Sequence, residues 1–133
     1  MNIGICDDEK VICEILCNHI QTYFKDSEQK GTIAIFTDGN QILKCITKLD
    51  IVFLDIDMPE LDGIEVGKLI KKCHPKCKII MATGKVERFK ESFIINAFRF
   101  ITKPFVYDEI KEALQAYEKE QIGNQKLRLI KKE

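Results

Sequence analysis

A surplus of either charge is missing from this sequence: its 133 residues carry 21 Lys and Arg against 21 Asp and Glu. Without a net field of one sign, the composition offers nothing that would gather nucleic acid or hold an anionic membrane surface. Long apolar runs are missing too. None approaches the ~20 residues of a membrane span, and Asn2 to Cys6 opens as a strand, not as a basic-then-apolar leader. These absences lead to the expectation of a cytoplasmic protein that makes no membrane contact. Proline is scarce, with three in the chain. Pro59, Pro75 and Pro104 each close an apolar stretch, so nothing interrupts the elements internally. The six cysteines lie mostly inside apolar periodic segments, where a reduced thiol packs as a small hydrophobe. Cys73-His74-Pro75-Lys76-Cys77 offers three soft ligands, but no second cluster exists to close a tetrahedral metal site.

What is present is a regular alternation within one domain-sized chain, 45% hydrophobic and 32% charged. Strand patterns fall at 2–6, 32–36, 51–55, 78–82 and 98–102. Helical periods run from about Glu9 to Lys25, Asp38 to Lys48, Gly63 to Cys73, Val86 to Asn96 and Asp108 to Gln121. Ile12, Cys13, Leu16, Cys17, Ile20 and Phe24 make the first stripe, with Asp8 placed to cap it. Ile64, Leu69, Ile70 and Cys73 form the third, and Gly123 is expected to stop the last helix. The strands are apolar without alternation, so they are buried on both faces. The expected fold is α/β: a (βα)5 doubly wound, five-stranded parallel sheet in the flavodoxin-like order 2-1-3-4-5.

In such a sheet every strand ends on one edge, and ligands bind there. The strand ends deliver Asp7 and Asp8, then Asp55 and Asp57, then Thr83, then Lys103. Each has a plain reading as a turn, a cap or a solvated charge. Together they place several carboxylates where two like charges ~4 Å apart repel by about 4 kcal/mol at an effective dielectric near 20. That repulsion calls for a cation, and hard oxygens suit Mg²⁺ sharing a phosphate. A hydroxyl and an ammonium complement the remaining phosphate oxygens. A carboxylate that accepts a phosphoryl group uses every member of the set.

Asp7-Asp8-Glu9, Asp55-x-x-Met58-Pro59-x-x-Asp62-Gly63, Ala82-Thr83 and Lys103-Pro104-Phe105 resemble, in order and spacing, the receiver domain of two-component response regulators. Ile3 to Glu9 and Asn96 to Phe105 are most similar to its LytTR class. The resemblance implies that Asp55 is the phosphoacceptor for a histidine kinase. It implies Mg²⁺ (or Mn²⁺) held by Asp8 and Asp55, by the Asp57 backbone carbonyl, and by Asp7 through water. It further implies that Thr83 moves to the phosphate, that Lys103 pairs with the acyl phosphate, and that the Lys103–Pro104 bond is cis. The chain would then be a signalling switch that controls an output such as transcription, not a turnover enzyme. A homodimer on phosphorylation would use a face around Arg88, Ser92, Arg99 and Tyr117.

Two positions depart from the family's usual residues. The switch aromatic is Phe100, which has no hydroxyl, so its rotamer change would be a packing event alone, or muted. Asp57 adds charge beside Asp55, and Lys85 is placed to face it, a pair suited to gating the water that hydrolyses the acyl phosphate. The rival reading is a haloacid-dehalogenase-like phosphatase using Asp55 and Asp57, which leaves Asp7, Asp8 and Lys103 without work. The receiver would span residues 1–121. Residues 122–133 would be a linker or the start of a C-terminal effector domain absent from this chain, with Leu127 and Leu129 alternating as a strand. DNA would be met only through that domain.

Overall fold

The computed structural model describes residues 1–132. Strands β1 (Asn2–Cys6), β2 (Thr32–Phe36), β3 (Ile51–Leu54), β4 (Lys78–Thr83) and β5 (Arg99–Thr102) form one sheet in the order β2-β1-β3-β4-β5. Every neighbouring pair is parallel. This is the expected flavodoxin-like topology. β3 is central, and all four of its side chains are buried, because helices cover both faces of the sheet.

On one face Ile3, Ile5, Phe53 and Ile80 pack with Leu16, Ile20 and Tyr23 of α1 (Lys10–Ser27) and with Ile110 and Leu114 of α4 (Tyr107–Lys132). On the other face Cys6, Val52, Leu54, Ile79 and Met81 meet Ile42 of α2 (Gly39–Leu43) and Val66 and Ile70 of α3 (Gly63–Cys73). The sheet side chains alternate between these two cores with the period of the strand. Asp38 caps α2 by accepting the Gln41 N–H at 2.9 Å, and Asp62 caps α3 by accepting that of Ile64 at 3.1 Å.

Several local expectations are corrected. Asp8 makes no cap: α1 begins after Glu9, whose N–H is taken instead by Asp7 Oδ1 at 2.9 Å. Tyr23 is buried beside the expected stripe, whose Phe24 packs partly buried on the same core, and in α3 Val66 and Gly67 face inward while Leu69 and Cys73 face out. The helix expected through Lys48 stops at Leu43 and resumes as a 3-10 turn, Ile46–Lys48. There β-branched Ile46 and Thr47 disfavour a continuous α-helix, and Leu49 drops under β1 into space left by Gly4, where a Cβ would sit 2.7 Å from its Cδ1.

The segment between β4 and β5 is a 3-10 helix, Val86–Phe93, and not an α-helix. None of its residues is fully buried and Phe89 packs only partly buried against the core, so no continuous apolar stripe holds a regular face against the sheet. Finally, α4 runs through Gly123 to Lys132, so Gly123 is no stop and Leu127 and Leu129 start no strand. An exposed helical glycine costs only about 1 kcal/mol, and the Gln, Lys, Leu and Arg around it are good helix formers. No helix among the described residues is long and apolar enough to cross a membrane.

Candidate functional site

The carboxyl ends of β1 and β3 lie side by side, on either side of the point where the strand order reverses. Asp7 follows β1 and Asp55 follows β3. Their backbones are held by the neighbouring strands: Asp7 N–H donates to Phe36 O at 3.1 Å and Asp55 N–H to Cys6 O at 2.9 Å. Both side chains are buried, whereas Asp8 is exposed. One oxygen from each of Asp7, Asp8 and Asp55 lies within 4.8 Å of the other two, the spacing of groups that share a hard cation.

Lys103, delivered by β5, reaches into this cluster. Its Nζ lies 2.8 Å from Asp7 Oδ2 and 3.6 Å from Asp55 Oδ2. The Lys103–Pro104 peptide is cis, and Lys103 N–H donates to Thr83 O at 3.1 Å, which ties the ends of β4 and β5 together. Burial acts to lower the pKa of Lys103, but the hydrogen bond to Asp7 and the nearby Asp55 charge outweigh it and hold the ammonium above its ordinary value. One ammonium does not compensate the acids. Burial, then the charge of Asp7, push the Asp55 carboxyl from 3.8 to about 6, with Lys103 only partly opposing. A donor set of hard oxygens, crowded enough to destabilise its own charge, is one that a divalent cation relieves.

Thr83 closes the site on the β4 side. It is fully buried, and its Oγ1 accepts the Lys85 N–H at 3.1 Å, which leaves its own O–H available to donate. Asp57 N–H donates to Asp55 Oδ1 at 3.3 Å, and the Asp57 carboxylate turns outward to Lys85, 3.1 Å away, with both side chains half exposed. The expected facing of Asp57 and Lys85 is therefore present. Phe100 is half exposed, its ring 4.5 Å from that of Phe89.

Asp7, Asp8, Asp55, Thr83 and Lys103 thus come to one edge, with Asp57 and Lys85 at its mouth. Phe100 stands apart on β5. Among the described residues Cys73, His74 and Cys77 form no metal cluster, and Cys77 is buried with its thiol pushed up to about 12. Of the residues expected on a dimer face, Arg88 is turned to Asp62 and Glu91, while Tyr117, on α4, packs partly buried against the core.

Sequence reasoning missed the Arg88 contacts. The guanidinium forks to Asp62 at 2.7 and 3.0 Å and donates to Ile56 O at 3.1 Å. Nothing in the chain order links Arg88 to a loop 26 residues away. A cavity of about 660 Å³ opens at the opposite, amino edge of the sheet between Asp50, Lys78 and Arg128. Lys78 is bound there to Glu120 at 2.7 Å and Asp50 to the Asn2 N–H at 2.7 Å, so the reactive groups do not gather in it.

Fold and site together place the chain among doubly wound α/β proteins that handle a ligand at the switch point of the sheet. The model of the response regulator receiver domain matches residues 3–115, and the chain belongs to that family. Sensory transduction protein LytT of Bacillus anthracis is 34% identical over 121 residues, covering 90% of this chain and 48% of that protein, in keeping with the LytTR likeness. Sporulation initiation phosphotransferase F of Bacillus subtilis is 34% identical over 119 residues, covering 86% of this chain and 91% of that one. The crystal structure of the response regulatory domain of protein MrkE from Klebsiella pneumoniae superposes with a TM-score of 0.76 at 31% identity, covering 90% and 99% of the two chains. The chain spans about half the length of LytT and of the transcriptional regulator YpdB of Escherichia coli. It is a signalling domain of two-component systems, and the phosphatase reading of Asp55 and Asp57 finds no relative among these.

Proposed function

We propose that Asp55 is the phosphoacceptor of this receiver, taking its phosphoryl group from the phosphohistidine of a sensor kinase in the cytoplasm. The observation that carries this reading is Asp55 itself: a buried carboxylate in contact range of two further acids and one ammonium, its pKa raised to about 6. An Asp55 oxygen attacks phosphorus as the bond to the kinase imidazole breaks and the ring nitrogen keeps the electron pair. Mg²⁺ or Mn²⁺, held by Asp8 and Asp55, the Asp57 carbonyl and Asp7 through water, would neutralise charge on the phosphoryl oxygens. Lys103 lies 3.6 Å from Asp55 and is placed to pair with the acyl phosphate, and Thr83 has a hydroxyl proton to donate to it. Phe100 then changes its packing against Phe89 without any hydroxyl to anchor the exposed rotamer. Residues 122–133 would lead towards an effector domain through which DNA is reached, and phosphorylation would favour a homodimer.

The test is incubation of the chain with Mg²⁺ and a small phosphoryl donor, followed by intact mass. One phosphoryl addition, absent with chelator and absent in Asp55→Asn, is expected; retained labelling in that variant would name another acceptor. Lys103→Ala removes the cation nearest both buried acids. It is expected to keep divalent binding, measured by calorimetry, while the Phe100 ring signals no longer respond to phosphorylation. The Asp57–Lys85 pair is half exposed and adds little to stability. Its work would be kinetic, gating water to the acyl phosphate. Asp57→Asn and Lys85→Ala are each expected to change the phosphoryl lifetime severalfold, and unchanged decay in both would remove the gate.

A further inference from the structure

The segment Val86–Phe93 borders the acid cluster, yet it buries no side chain completely, and Phe93 is 87% exposed. Of its apolar side chains Phe89 packs, partly buried, against the core, so polar contacts have a large share in fastening the segment. Arg88 has the geometry to supply them. Its side chain is 23% exposed, and its guanidinium makes three bonds to the loop that follows β3: two to the Asp62 carboxylate and one to the carbonyl of Ile56, the residue next to Asp55. Asp62 is itself the cap of α3, so the brace ends on a fixed point. On its own segment Arg88 pairs with Glu91, and the next residue, Phe89, lays its ring 4.5 Å from Phe100 on β5. A continuous set of contacts therefore runs from the Ile56–Asp57 peptide, one residue beyond Asp55, through Arg88 and Phe89 to Phe100.

We propose that Arg88 is a positioning residue that braces the loop after Asp55 against the Val86–Phe93 segment, so that a change at Asp55 reaches Phe100 through Ile56, Asp62 and Arg88. The brace itself is a property of the unphosphorylated fold; its signalling role rests on Asp55 being the phosphoacceptor. Planar, multidentate recognition is what a guanidinium supplies and an ammonium does not, so lysine at this position keeps a charge but loses the fork. A purely local role is the competing explanation: Arg88 and Glu91, three residues apart, would steady the 3-10 turn by themselves.

Amide hydrogen exchange on the full, unphosphorylated chain separates the two. Arg88→Ala is expected to speed exchange across Val86–Phe93 by about tenfold while β1 and β3 are unchanged. Arg88→Lys should fall between, and Glu91→Gln, which spares the fork to Asp62, should match the parent. Equal exchange in Arg88→Ala and parent overturns the brace, as does Glu91→Gln loosening the segment as much as Arg88→Ala. This measurement needs no phosphoryl transfer, so failure of the brace and failure of Asp55 as acceptor are read separately. With the donor added, Arg88→Ala should take up the phosphoryl group on Asp55 but lose the shift of the Phe89 and Phe100 ring signals that the parent shows. An undiminished shift overturns the signalling role.

Discussion

Asp55→Asn is expected to take up no phosphoryl group and, with metal chelated, to unfold at a higher temperature than the parent chain. The two effects have one origin. Asparagine keeps the shape of the side chain and an oxygen to accept the Asp57 N–H, but it has no nucleophilic carboxylate and no charge. In the parent, burial and the charge of Asp7 raise the Asp55 pKa from 3.8 to about 6. Ionising it in the fold therefore costs about 2–3 kcal/mol at neutral pH, at 1.36 kcal/mol per unit.

The sign follows from proton linkage. Between about pH 4 and pH 6 the folded state still holds a proton that the unfolded chain has released, so this group lowers stability as pH rises through that window. The advantage of Asp55→Asn should be absent near pH 4 and complete above pH 7, where it amounts to a rise in Tm of roughly 5–10 °C. Thermal unfolding by circular dichroism at the two pH values, in chelator, checks it. An Asn variant less stable than the parent at pH 7 would mean that Lys103 compensates the acids fully. Adding Mg²⁺ should shrink the difference, because a ligand that binds only the folded parent stabilises it.

Gly63→Ala is expected to destabilise the chain by about 3–5 kcal/mol and to lower the rate of phosphoryl uptake in whatever fraction folds. The reason is close approach. A Cβ on Gly63 would lie 2.1 Å from the carbonyl oxygen of Asp55 and 2.4 Å from Cα of Ile56. Both are backbone atoms of the strand end that presents the phosphoacceptor, so neither swings aside as a side chain would. Gly63 N–H also donates to Ile56 O at 3.0 Å, and that bond holds the start of α3 against the next peptide along the same loop. Relief requires moving α3 or Asp55. Gly84→Ala makes the control, since a Cβ there meets Lys103 Cβ at an ordinary 3.7 Å. Denaturant unfolding should show a large loss for Gly63→Ala and little for Gly84→Ala. Similar midpoints for the two would remove the steric account.

The alternation of apolar runs with amphipathic periods was enough to determine five parallel strands, and with them one sheet edge carrying Asp7, Asp8, Asp55, Thr83 and Lys103. Burial on both faces leaves a strand no polar positions except at its ends, so the acids that end β1 and β3 were conspicuous in the chain itself. Local boundaries were less legible where no packing enforced them. Val86–Phe93 has helical spacing but no buried face, and it folded as a 3-10 helix. Gly123 reads as a stop, yet α4 crosses it because its neighbours favour helix and nothing opposes them. Only the tertiary structure decided the contacts between loops distant in sequence: the 2.8 Å bond that draws Lys103 to Asp7, and the fork of Arg88 on Asp62 and Ile56. The chain specifies its strands by patterns that repeat within a few residues. Which charged group meets which across two loops depends on how those strands stack, and no local pattern carries that.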